Sequence, residues 1–120
     1  MLEKTFENKV KEALKYYECY FVKYYGCAFS EAGTPDLLCC IGGRFVGIEV
    51  KSEKGKPSEL QLLKLKRIRD AGGIGIVLSP RKWEDFEEMI SLLAIGNYTL
   101  AKTYQNRINE AYISHGETTK

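Results

Sequence analysis

One histidine, three prolines and one tryptophan are spread over 120 residues, and each scarcity excludes something. The lone His115, in a polar tail, leaves no basis for a Ser-His-Asp triad or a histidine-rich metal site. The cysteines Cys19, Cys27, Cys39 and Cys40 contain no CxxC pair, so zinc-site spacing is missing. Buried, reduced thiols are the expectation, with Cys39 and Cys40 pointing to opposite faces of a strand. No apolar run approaches the ~20 residues of a membrane span. Met1-Leu2-Glu3-Lys4 has no apolar signal-peptide core, so a cytoplasmic location without a membrane partner is expected. Repeats and low-complexity stretches are absent, and the formal charge is only +2.

What remains is an ordinary globular composition, 44% hydrophobic and 28% charged, in a chain of one-domain length. About two-thirds of the unfolded surface can be buried at this size, enough for a core without disulfides. Charge is uneven along the chain. Residues 51–69 hold seven basic side chains and two acidic ones, offset by Glu84, Asp85, Glu87 and Glu88.

Apolar periodicity predicts a helix over 2–18, with Phe6, Val10, Ala13, Leu14 and Tyr17 on one stripe. The aromatic and β-branched run 19–25 predicts a strand, and Gly26, Ser30, Gly33 and Pro35 mark a loop. Runs 36–41 and 44–51, joined by Gly42-Gly43, predict a tight hairpin. Ser58 reads as the N-cap of a helix over 59–71 that ends at Gly72-Gly73. Ile74–Leu78 predicts a buried strand. Ser79-Pro80 opens a further helix carrying Trp83, Phe86, Ile90 and Leu93. A last helix over 98–113 presents Leu100, Tyr104, Ile108 and Tyr112, and the final seven residues are expected to fray. The order α-β-β-β-α-β-α implies an α/β fold, a mixed sheet flanked by helices.

The hairpin carries the chemistry. With Gly42 and Gly43 as the turn, Ile41 faces Arg44, and counting back along both strands sets Asp36 opposite Glu49. Lys51 lies two residues beyond Glu49 on the same face. Opposed carboxylates repel, and a divalent cation would offset that repulsion. Such a cation binds a phosphate oxygen and activates water, while a lysine stabilises the charge that develops. These are the parts of a phosphodiester hydrolase.

Gly33-Thr34-Pro35-Asp36, then Gly47-Ile48-Glu49-Val50-Lys51, then Ser58-Glu59-Leu60-Gln61 resembles the PD-(D/E)XK nuclease superfamily. More narrowly it is similar to the VRR-NUC (virus-type replication-repair nuclease) group. The likeness runs from the first helix to about Leu78. It implies a restriction-endonuclease-like core over 1–96. Residues 97–120 are then a helical extension and tail, within the same domain or at a dimer contact. It also implies Mg²⁺- or Mn²⁺-dependent DNA cleavage. Small stand-alone members resemble phage proteins that act as homodimers on branched DNA such as Holliday junctions.

By the resemblance, Asp36 and Glu49 are metal ligands, the Val50 carbonyl completes that set, and Lys51 is the catalytic lysine. Gln61 matches the glutamine that follows the motif in this group, although Ser58-x-x-Gln61 also reads as a capping box. Glu7 matches the first-helix acid, with Glu3, one turn earlier, as the alternative. Lys54, Lys56 and Lys64 are candidate phosphate contacts. Rival functions are a monomeric exonuclease or nickase of the same fold, and a catalytically silent nucleic-acid-binding module.

Overall fold

The computed structural model describes residues 1–113; His115 and the expected fraying of the final seven residues lie outside them. Helix α1 (Glu3–Tyr16) buries Phe6, Val10 and Leu14. It stops short of the expected 18 because Glu18 adopts a left-handed φ of 56°, and the amides of Glu18 and Cys19 turn back to Lys15 and Leu14.

Strands β1 (Tyr20–Lys23), β2 (Leu37–Ile41), β3 (Arg44–Val50) and β4 (Ile74–Leu78) form one sheet in the order β1-β2-β3-β4. The first two pairings are antiparallel and β3–β4 is parallel. The sheet is therefore mixed. Gly42 and Gly43 both have positive φ, 57° and 80°, as a two-residue hairpin turn of this hand needs. The register is Ile41↔Arg44 through Leu37↔Ile48, the one expected.

Helix α2 (Glu59–Asp70) connects β3 to β4. A 3-10 turn (Pro80–Lys82) leads into α3 (Trp83–Ala94), and α4 (Tyr98–Ile108) follows. Leu37, Cys39, Ile41, Val46, Ile48, Val50, Ile74, Ile76 and Leu78 turn to one face, where they form the core with α1, α3 and α4. Helix α2 lies on the other face. There Gly47, Gly73 and Gly75 leave room for it: a Cβ on Gly75 would stand 2.6 Å from the Leu65 carbonyl oxygen. Gly75→Ala must push backbone from backbone, so it is expected to cost about 2–3 kcal/mol, visible as a lower urea midpoint with an unchanged slope. An unchanged midpoint would mean that α2 is not seated this closely.

The last helix departs from its expected stripe. It ends at Ile108 rather than 113, and its buried residues are Ala101, Gln105 and Ile108. Leu100 and Tyr112 are exposed. The reason is hydrogen bonding at the sheet edge. The Gly75 and Val77 amides donate to Gln105 Oε1 (2.9 Å) and Asn109 Oδ1 (3.0 Å), and Asn109 Nδ2 donates to the Gly75 carbonyl (2.8 Å). Side chains of α4 and its C-cap occupy the outer edge of β4 where a further strand would sit.

The cysteines also differ from expectation. All four are free, yet only Cys39 is buried; Cys27 and Cys40 are exposed and Cys19 is half-buried. Cys40 and Cys39 do point to opposite faces, but α2 leaves the β1–β2 half of its face uncovered. Among the described residues no helix is long and apolar enough to cross a membrane.

Candidate active site

Strand and helix ends bring four of the expected residues together. Asp36 precedes β2, where its carbonyl accepts from the Tyr24 amide. Its Oδ2 accepts from the Val50 N–H at 2.9 Å. Val50 thus contributes backbone, while its side chain lies in the core on the opposite face. Glu49 is only 2% exposed. Its Oε2 accepts from Gln61 Nε2 at 2.9 Å and pairs with Lys51 Nζ at 3.3 Å. Its Oε1 is buried without any hydrogen-bond partner. Lys51 is anchored by its own amide, which donates to the Leu78 carbonyl at 2.9 Å.

Burial pushes the Glu49 carboxyl up to about 7, and the nearby Asp36 charge adds to the rise against the pull of Lys51. A buried carboxylate with one unpaired oxygen beside a second carboxylate is costly.

Gln61 does both things that its spacing suggested. Its amide oxygen accepts from the Ser58 N–H, and its own N–H donates to Ser58 Oγ, closing the capping box. Its amide nitrogen is left to hold Glu49. The cap fixes the first turn of α2, and that turn aims the amide at the sheet.

Glu7, not Glu3, is the first-helix acid that reaches this region. Glu3 is exposed at the start of α1. Glu7 pairs with Lys23 Nζ at 2.7 Å and Lys11 Nζ at 3.3 Å. Burial alone would raise its carboxyl, but the two ammoniums prevail and hold it below the ordinary value. Lys23 also reaches Asp36 Oδ1 at 3.5 Å. Burial would lower its ammonium, yet Glu7 and Asp36 hold it above the usual value.

Lys23 was missed by sequence reasoning. Its one signal is a charge within an aromatic strand, and its place opposite Leu37 depends on a pairing across the long loop 24–36 that no turn motif specifies. Among the expected phosphate contacts, Lys54 and Lys56 stand exposed in the loop after Lys51. Lys64 is paired with Glu31 on the flank of α2.

Among the described residues no group of three or more His, Cys, Asp or Glu side chains could hold a metal ion. A cation here would have only two carboxylates, Asp36 and Glu49, and would complete its shell with backbone oxygen and water. That set fits a hard divalent ion such as Mg²⁺, which keeps several waters, and the unpartnered Glu49 Oε1 is an oxygen free to serve it. Asp36 also lines an open cleft of about 410 Å³ with Tyr24, Cys27, Ser30 and Thr34, which Glu49, Lys51 and Gln61 do not line. Set against protein-family models, curated proteins and solved structures, the chain matches none of them.

Proposed function

We propose that this chain is a metal-dependent DNA endonuclease of the VRR-NUC type. On this reading the sheet between α1 and α2 is a restriction-endonuclease-like core. The observation that carries the proposal is Glu49: buried, with one oxygen unpartnered, held against Asp36 and Lys51. A fold with no use for that arrangement would gain by removing it.

Asp36 and Glu49 would hold Mg²⁺ or Mn²⁺, with the Val50 carbonyl, which an extended strand turns to the same edge as its N–H. The ion, when bound, supplies Lewis-acid polarisation of the phosphate and a more acidic water. Asp36 is oriented for this by the Val50 N–H, and Glu49 by Gln61. Lys51 Nζ, released from Glu49, stabilises the negative charge that develops on the phosphate. Lys54 and Lys56 meet the DNA backbone beside it. The sequence holds no recognisable base-reading motif, and this reading takes recognition to rest on DNA shape, with branched substrates favoured.

Symmetric cutting of two strands needs two sites, which a two-fold homodimer provides. Leu60 and Leu63, each 42% exposed, are apolar surface for such a contact. A monomeric exonuclease or nickase is the second reading, favoured by one observation: α4 uses much of its buried stripe within its own chain.

The test is incubation with labelled four-way-junction, flap, duplex and single-stranded DNA in Mg²⁺, Mn²⁺ or EDTA, with Lys51→Ala alongside and the oligomeric state sized. Metal-dependent cutting is expected, lost by Lys51→Ala, with paired cuts on the junction. Cutting one strand as a monomer would select the second reading. Binding without cutting of any substrate would leave a silent DNA-binding module.

A further inference from the structure

Lys23 places a fixed positive charge inside the acidic cluster. Its Nζ sits 2.7 Å from Glu7 Oε1 and 3.5 Å from Asp36 Oδ1. The first distance is a full charge-assisted hydrogen bond, and the second is long for one. The ammonium is thus held by Glu7 and leans on Asp36. Asp36 Oδ2 is occupied by the Val50 N–H, so Lys23 covers the oxygen left over. Lys11 takes Glu7 Oε2 at 3.3 Å and leaves Oε1 to Lys23.

We propose that Lys23 is a resident counter-cation that competes with the divalent ion for Asp36, and that Glu7 is its parking acceptor rather than a metal ligand. This rests on the metal-dependent reading of Asp36 and Glu49 above. An ammonium and a divalent ion on the same carboxylate oxygen repel strongly. The ammonium must yield when the ion binds. Glu7 lets it yield without losing its ion pair, since the stronger of its two contacts is already there. In the metal-free protein Lys23 offsets the charge of Asp36, as Lys51 offsets that of Glu49. The device therefore stabilises the empty site and weakens the filled one.

Opposite effects of two substitutions follow. Lys23→Met removes the competitor, so the divalent Kd should fall about fivefold, the scale of one charge–charge interaction screened by water. Glu7→Gln removes the parking acceptor, so Lys23 settles on Asp36 and the Kd should rise by a similar factor. Because Glu7 acts through Lys23, its loss should have little effect in the Lys23→Met background.

The experiment is Mn²⁺ titration of the full chain followed by the spectroscopic signal of free Mn²⁺, with Mg²⁺ calorimetry and melts in EDTA and in metal. Lys23→Met should melt lower than wild type in EDTA yet show the larger metal-induced rise. Lys23→Gln serves if the methionine variant fails to fold. Unchanged or weaker binding by both Lys23 variants would overturn the proposal and leave the nuclease reading intact. Equal weakening by Glu7→Gln in both backgrounds would make Glu7 a direct ligand and also overturn it. No divalent binding by wild type or any variant would remove the metal-dependent reading itself, and this inference with it. Binding that appears only when Lys23 is removed would support the competition in its strongest form.

Discussion

Asp36→Asn should lower metal-dependent cutting at least about a hundredfold while DNA binding stays as tight or becomes tighter. The substitution is nearly isosteric. An asparagine oxygen can still accept the Val50 N–H now received by Oδ2, so the start of β2 keeps its anchor. What disappears is one negative charge and one of two carboxylates available to a cation. The charge lost also repelled the phosphate backbone, hence the unchanged or improved affinity. Single-turnover cleavage and gel-shift titration on one labelled junction separate the two effects. Unchanged turnover would remove Asp36 from the site. Cutting and binding lost together, with a lowered melting temperature, would make Asp36 a structural residue.

Glu49→Gln should do something less usual: abolish cutting and stabilise the metal-free protein. The Glu49 carboxyl titrates near 7 in the folded chain against an ordinary 4.5. Between those values the folded protein holds a proton that the unfolded chain has released. Stability contributed by the neutral form is thus present at low pH and lost as pH rises through this window. The full penalty applies above about pH 7 and is on the order of 3 kcal/mol. Glutamine is neutral throughout. Its oxygen can keep the Gln61 bond, so only the charge is deleted. In EDTA the variant should melt above wild type at alkaline pH, and the gap should close toward pH 4.5. Bound Mg²⁺ should stabilise wild type alone and shrink the gap. A variant that melts lower in EDTA at alkaline pH would show that Glu49 is held by Lys51 and Gln61 more strongly than its burial costs. For the same reason wild-type metal affinity should rise with pH through about 7, because the ion displaces a proton from Glu49.

Much of this site is readable in the chain because it is built from local geometry. The Gly42-Gly43 turn fixes the β2–β3 register, and a slip of one residue would turn every core side chain outward. That register carries Asp36 to the level of Glu49 and Val50. Ser58 and Gln61 are three residues apart, which is both a capping box and an aim for the amide. Each relation spans a turn of hairpin or helix, where sequence spacing is nearly spatial spacing.

The tertiary structure decided the rest. Lys23 comes beside Asp36 only because β1 pairs with β2 across the loop 24–36, a register that no turn chemistry encodes. Glu7 was preferred over Glu3 when α1 packed on the sheet and met that same lysine. Gln105 and Asn109 lie outside the stripe expected of the last helix, and they are buried because β4 has an open edge whose amides need acceptors. Cys40 was expected inside and is exposed, because α2 covers β3 and β4 but not β2. The sequence by itself determined the elements, the hairpin and the pair of opposed carboxylates, since those depend on neighbours within a few residues of a turn. Only the folded chain could settle that Lys23 stands between Glu7 and Asp36 and which helix closes the sheet, because those contacts join segments whose separation along the chain carries no geometric information.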